Sequence, residues 1–258
     1  RGGGGMGQVV ARLAFLPPAP SYDKAWSELE WVTTKRGERI PLLYVPCDGA
    51  KYTVLFSHAN AEDLGHVAEH LKTLSNVLQV NVLGYDYTGY GCASGVPSEA
   101  DCYSDLAAAF EFLMARKQQL PKNVVLYGRS IGSGPTCEMA SRTQVGGVIL
   151  QSAFTSCIRV AYDVRHTAFD AFCNLDKIAR IQCPLLIVHG TKDDVVPLEH
   201  GKALFKMSKR PHRPFWVNGA GHNDIEVCHF PALCQRVQEF VWGLDPQWSI
   251  VPGTTFCL

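Results

Sequence analysis

Six continuous apolar runs of strand length recur along the chain, at Tyr52 to Phe56, Val80 to Tyr85, Asn123 to Tyr127, Gly147 to Leu150, Pro184 to Val188 and Phe215 to Val217. A strand with one wet face alternates apolar and polar residues, whereas a strand apolar at every position is buried on both faces. Segments of helical period separate most of these runs: Val67 to Leu78, Tyr103 to Arg116, Ile131 to Arg142 and Leu198 to Met207, with Ala232 to Trp242 after the last. Pro121, Pro184 and Gly219 mark connections between them. This alternation predicts parallel neighbours joined by right-handed crossovers, which place helices on both faces of the sheet. Functional groups then collect on loops at the carboxyl edge of the strands. Ahead of the alternation, Leu29 to Thr34 and Ile40 to Val45 flank Arg36-Gly37 and read as a hairpin. The expected fold is therefore α/β, with a mostly parallel central sheet.

A chain of 258 residues suits one large domain. We place it at 13–245, between a flexible glycine-rich stub at 1–12 and a tail at 246–258. The chain starts at Arg1 rather than methionine, from which a piece of the natural N-terminus is expected to be missing. Lys and Arg number 24, as do Asp and Glu, and no basic cluster stands out, so nucleic acid is not an expected partner. No apolar run approaches the roughly 18 to 20 residues of a membrane span. The ten cysteines include no C-x-x-C pair and several lie in apolar runs, which predicts reduced thiols and an intracellular compartment.

Directly behind the run ending at Tyr127 stands Gly128-Arg129-Ser130-Ile131-Gly132, ahead of a helical segment. Strand, sharp turn and helix is the setting in which a serine is lifted out of a sheet as a nucleophile, with glycine wanted on both flanks. Ser130 is the candidate nucleophile. A serine hydroxyl needs an imidazole to take its proton and a carboxylate to hold that imidazole in the right tautomer. Of nine histidines, His222 in Gly219-Ala220-Gly221-His222-Asn223-Asp224 follows the last strand and precedes the last helix, and is the candidate base. Asp193 and Asp194, after the strand ending at Val188, compete as the acid. The chain order Ser, Asp, His is that of an α/β-hydrolase fold. Oxyanion donors in such a site are backbone amides after the serine and after the third strand. Ile131 and Asn60 are the candidates, with Ala59 as the alternative to Asn60. His58 is expected to be a buried loop histidine bonded to backbone.

His66-Val67-Ala68-Glu69-His70 matches the inverted zinc-peptidase pattern H-x-x-E-H. Without a third ligand it reads as two exposed helix histidines, and neither a metal nor a cofactor is expected. The segment between Ser152 and Asn174 is the place for a short cap, with Phe154, Ile158, Val160, Ala161, Tyr162, Phe169 and Phe172 available to line an acyl groove.

Leu13-Ala14-Phe15-Leu16-Pro17-Pro18, Tyr85-Asp86-Tyr87-Thr88-Gly89-Tyr90-Gly91, Leu126 to Gly132 and Gly219 to Ile225 together closely resemble the alpha/beta hydrolase domain-containing 17 depalmitoylases. The resemblance extends over almost the whole chain. It implies a serine thioesterase that removes palmitate from cysteines of membrane-associated proteins, with Ser130, Asp193 and His222 on the triad positions, so it selects Asp193 over Asp194. It also implies S-palmitoylated proteins as substrates and a palmitoylated, cysteine-rich N-terminus that holds the enzyme on the cytoplasmic side of membranes. Ahead of Leu13 this chain has no such cysteines. A second departure is Ala59, where the family usually carries glycine, so the oxyanion loop must accept a methyl group. Two readings outside this family remain alongside it: a carboxylesterase or serine peptidase of the same fold, and a lipid- or partner-binding module without turnover.

Overall fold

The computed structural model describes residues 15–157, 160 and 170–245. Strands β1 (Leu29–Thr33) and β2 (Arg39–Val45) form the expected hairpin, closed where Gly37 adopts φ +92°. They continue into β3 (Thr53–Ser57), β4 (Asn81–Tyr85), β5 (Val124–Arg129), β6 (Gly147–Gln151), β7 (Leu185–Gly190) and β8 (Phe215–Val217). The eight strands lie in one sheet of order β1-β2-β4-β3-β5-β6-β7-β8. β2 runs antiparallel to β1 and β4, and all other neighbours are parallel.

Every residue of β3 to β7 is buried, as the unbroken apolar runs require. Leu55, Leu83, Leu126, Leu150 and Ile187 face one layer, which α2 (Glu99–Arg116) covers with Leu106, Ala109 and Leu113, α3 (Ser133–Ala140) with Cys137 and α5 (Leu198–Met207) with Leu204. Val54, Val82, Val125, Ile149 and Leu186 face the other, covered by Leu71, Leu74 and Leu78 of α1 (Leu64–Leu78) and by Leu233, Val237 and Val241 of α7 (Phe230–Trp242). Each buried Val, Leu or Ile among them contributes about 1.5–3 kcal/mol by leaving water.

Two helices start ahead of the periodicity because a capping side chain sets the first turn. Asp63 accepts the His66 amide and starts α1 three residues ahead of the expected Val67. Ser98 accepts the Asp101 amide and starts α2 at Glu99 rather than Tyr103. The expected helix Ile131 to Arg142 divides into a 3-10 turn, Ser130–Gly132, and α3. Two helices went unread, α4 (Asn174–Ile178) and α6 (Ile225–Cys228), since neither is long enough to show a period.

The histidines of the H-x-x-E-H stretch are not both exposed. His66 faces solvent and pairs with Asp63 at 2.7 Å, but His70 packs between the rings of Phe56 and Phe230 at 5.8 and 5.6 Å. Burial and the nearby Arg129 charge push the His70 imidazole down to about 4. Among the described residues, no group of three or more His, Cys, Asp or Glu is placed to hold a metal ion.

Between about pH 6.5 and about 4 the unfolded chain binds a proton at His70 that the folded chain does not. The stabilisation tied to this residue is thus complete above that window and lost as pH falls through it, by up to about 3 kcal/mol. Urea denaturation at pH 7.5 and 4.5 checks this: His70→Phe should lose about 2 kcal/mol less than wild type across the interval. Equal losses would contradict it.

Candidate active site

β5 ends at Arg129, and Ser130 turns into the left-handed region at φ +52°. A non-glycine residue there costs about 1–3 kcal/mol, so the surrounding packing must enforce it. The flanking glycines make that packing possible. A Cβ on Gly128 would stand 2.5 Å from both the Gly132 oxygen and Thr136 Oγ1. On Gly132 it would overlap the Ser57 carbonyl oxygen and lie 2.9 Å from that of His58. The first turn of α3 therefore closes onto β5 and onto the loop after β3. Ser133 Oγ donates to the Ser130 carbonyl at 2.6 Å, and Asn174 Nδ2, at the start of the unread α4, donates to Ser133 Oγ and the Phe154 carbonyl, each at 3.0 Å.

The structure brings Ser130, His222 and Asp193 together. His222 Nε2 lies 3.0 Å from Ser130 Oγ, and its Nδ1 lies 2.8 Å from Asp193 Oδ2. Asp193 Oδ1 accepts the amides of Val195 at 3.0 Å and Val196 at 2.7 Å. Burial raises the Asp193 pKa, but the hydrogen bonds from His222 and Val196 and the neighbouring imidazoles outweigh it, leaving the carboxyl below its ordinary value. Asp194 is exposed.

The His222 loop is braced by the turn that carries the acid. The Gly219 amide, in a residue at φ +79°, donates to Thr191 Oγ1 at 2.8 Å, the Lys192 amide donates to the Ala220 carbonyl at 2.9 Å, and Asp224 Oδ2 accepts the Gly221 amide at 2.7 Å. His189, to which the sequence reading gave no role, is fully buried beneath this turn. Its Nε2 lies 2.8 Å from the Val196 carbonyl and 3.4 Å from Asp193 Oδ2. Burial pushes its imidazole below the ordinary value against the pull of the Val196 carbonyl and Asp193. Its signal was its place at the end of β7, four residues before Asp193.

Ser57 ends β3 and His58 to Asn60 begin the loop after it, and the Tyr-Asp-Tyr-x-Gly-Tyr-Gly motif holds this segment. Tyr85 Oη is 2.8 Å from Ser57 Oγ, Tyr87 Oη donates to the His58 carbonyl at 2.7 Å, and Tyr90 Oη donates to Asn60 Oδ1 at 2.6 Å. The Leu16 amide donates to that same carboxamide oxygen at 2.9 Å, so the Asn60 side chain is an anchor for the loop. The Ala59 amide donates to Glu62 Oε2 at 3.0 Å and is thereby engaged within the loop, while the Ala59 methyl is buried. Ile131 is the first residue after Ser130 in the 3-10 turn.

His58 is buried with Nδ1 2.8 Å from the Ala59 carbonyl, as expected, and also sits with Nε2 3.3 Å from Asp86 Oδ1. Burial disfavours its charged form, but Asp86 and the Ala59 carbonyl overcome this and hold its pKa above the ordinary value. Asp86 further accepts the Leu64 amide at 2.8 Å and the Tyr22 hydroxyl.

Of the residues proposed to line an acyl groove, Phe154 and Phe172 are core: Phe172 packs edge-on to Phe15 at 5.9 Å, Tyr103 at 5.7 Å and Phe154 at 6.5 Å. Val160 packs against the same core, and Ile158, Ala161, Tyr162 and Phe169 lie outside the described residues. Among the described residues all nine cysteines are free, and no helix is long and apolar enough to cross a membrane.

No protein-family model matches the chain. It is 41% identical over 264 aligned residues to alpha/beta hydrolase domain-containing protein 17B of Homo sapiens, covering 91% of each chain. It is 38% identical to protein 17C of Xenopus tropicalis, covering 91% of this chain and 89% of the relative. Solved structures of similar fold include an esterase of Pyrococcus furiosus, with TM-score 0.71, 19% identity and coverage of 88% of this chain and 98% of that one. The alpha/beta hydrolase GrgF of Penicillium gives a TM-score of 0.70 at 15% identity, covering 83% and 96%.

Proposed function

Because the chain belongs to the alpha/beta hydrolase domain-containing 17 family, and so to the hydrolases, we propose that it is a serine thioesterase cleaving palmitoyl thioesters of S-acylated proteins through an acyl-enzyme on Ser130. The observation that carries the serine mechanism is the relay Ser130 Oγ, His222, Asp193, with separations of 3.0 and 2.8 Å. The family resemblance supports the palmitoyl substrate.

In this reading Ser130 Oγ attacks the thioester carbonyl while His222 Nε2 takes its proton. The Ile131 and Asn60 amides stabilise the resulting oxyanion, since preset donors act most strongly where charge develops. The cysteine thiolate, with an ordinary pKa near 8.5, departs more readily than an alkoxide would. The proton held on His222 Nε2 passes to the departing sulfur, and water then attacks the acyl-serine while His222 takes its proton and returns it to Ser130 Oγ as palmitate leaves. Substrates of this kind are presented at membrane surfaces, and attachment there through an N-terminal lipid anchor is part of the proposal.

Turnover of matched palmitoyl thioesters, short aryl esters and aminoacyl amides tests the substrate class. The palmitoyl thioester should give the highest kcat/KM, and the amides should be slowest. A preference for amides would sink the thioesterase reading and favour a peptidase.

A further inference from the structure

Arg129, directly ahead of Ser130 in the Gly128 to Gly132 turn, has its guanidinium almost wholly out of water, with its side chain 10% exposed. An arginine in that position is costly unless its guanidinium is well paired. Each of its three nitrogens has a partner. Nη1 pairs with Glu62 Oε1, Nη2 donates to Asn223 Oδ1 at 3.0 Å, and Nε pairs with Glu226 Oε1 at 2.7 Å.

These partners come from two separate loops of the site. Glu62 lies two residues beyond Asn60, and its second oxygen accepts the Ala59 amide. Asn223 follows His222 directly, and Glu226 is in α6 just beyond. Glu226 Oε1 also accepts Gln151 Nε2 at 2.6 Å, and Gln151 Oε1 accepts the Tyr127 hydroxyl, which ties the cluster to β5 and β6. Burial pushes the Glu226 carboxyl above its ordinary range against the pull of Arg129. Two carboxylates therefore depend on one cation.

We infer that Arg129 is a positioning residue that sets the distance between the oxyanion loop and the base: through Glu62 it fixes the loop carrying Asn60, and through Asn223 and Glu226 it fixes the loop carrying His222. The inference rests on the serine-hydrolase reading above. Misplacing a reacting group by about 1 Å costs up to about 100-fold, so the frame acts on kcat even though its members need not touch substrate.

The test compares wild type, Arg129→Lys, Glu62→Gln and the double variant on a soluble short-chain aryl ester. Active sites are counted by fluorophosphonate labelling, and thermal melting is recorded alongside. Arg129→Lys keeps the charge but loses the fork, and Glu62→Gln keeps an acceptor for the Ala59 amide but loses the charge. Each should lower kcat per labelled site about 10- to 100-fold with KM within about threefold. The double variant should fall little further than the worse single one, because both break the same frame. If kcat per labelled site is unchanged and only melting or the labelled fraction drops, the pair is merely structural and the inference fails. If wild type itself takes no label, the serine reading falls, and the inference with it.

Discussion

Asp193→Asn is expected to lower kcat/KM for every acyl substrate about ten-thousand-fold while the protein stays folded. The geometry gives the reason. Asp193 Oδ1 accepts two backbone amides, from Val195 and Val196, and Oδ2 faces His222 Nδ1. An asparagine satisfies the two amides only with its oxygen, so its NH2 must turn toward the imidazole. His222 Nδ1 then has to accept, the ring proton moves to Nε2, and the atom facing Ser130 Oγ loses the lone pair it needs as a base. Asp194→Ala removes only an exposed carboxylate and should leave kcat/KM within about twofold. Steady-state kinetics on both variants checks the assignment. A large loss in Asp194→Ala with little in Asp193→Asn would reverse it.

Gly132→Ala is expected to cost the fold about 3 kcal/mol or more and to abolish labelling by a serine-directed probe. The added methyl meets backbone, the Ser57 and His58 carbonyls, which cannot rotate away as a side chain can. Either α3 moves off β5 or the loop carrying Asn60 moves out, and both open the distance between Ser130 and the loop proposed above to supply an oxyanion donor. At this chain length the loss corresponds to a fall in Tm of about 6–12 °C. Gly37→Ala is the comparison: its φ is +92° but nothing stands within 4 Å of the new atom, so only about 1 kcal/mol is expected. Similar Tm losses in the two variants would show that the close approach at Gly132 does not matter.

The sheet was legible because β3 to β7 are buried at every position, which leaves an unbroken apolar run in the sequence. Ser130 and His222 were legible because their glycine-flanked turns announce the backbone they need. Asp193 against Asp194 was not a matter of composition. What separates them is which carboxylate turns inward to the Val195 and Val196 amides, a local loop geometry that only the family pattern anticipated. Arg129 sat in one of the two positions of its turn that the nucleophile setting leaves open, and its partners Glu62, Asn223 and Glu226 are up to 97 residues away, so no spacing rule links them. Tyr85, Tyr87 and Tyr90 belong to the motif that carries the family resemblance, and they are buried. Their hydroxyls nonetheless reach the Ser57 to Asn60 segment, which no hydrophobic pattern encodes. His70 was misjudged because helical spacing puts it beside His66 without revealing that Phe56 and Phe230 close over it.

Rapid-quench mass spectrometry of the protein mixed with a palmitoyl-cysteine peptide tests most directly whether Ser130 carries the acyl group. A transient palmitoyl group on the peptide containing Ser130, absent from a Ser130→Ala variant that also releases no palmitate, is the expected result. Acylation of a different residue, or undiminished palmitate release by Ser130→Ala, would contradict it.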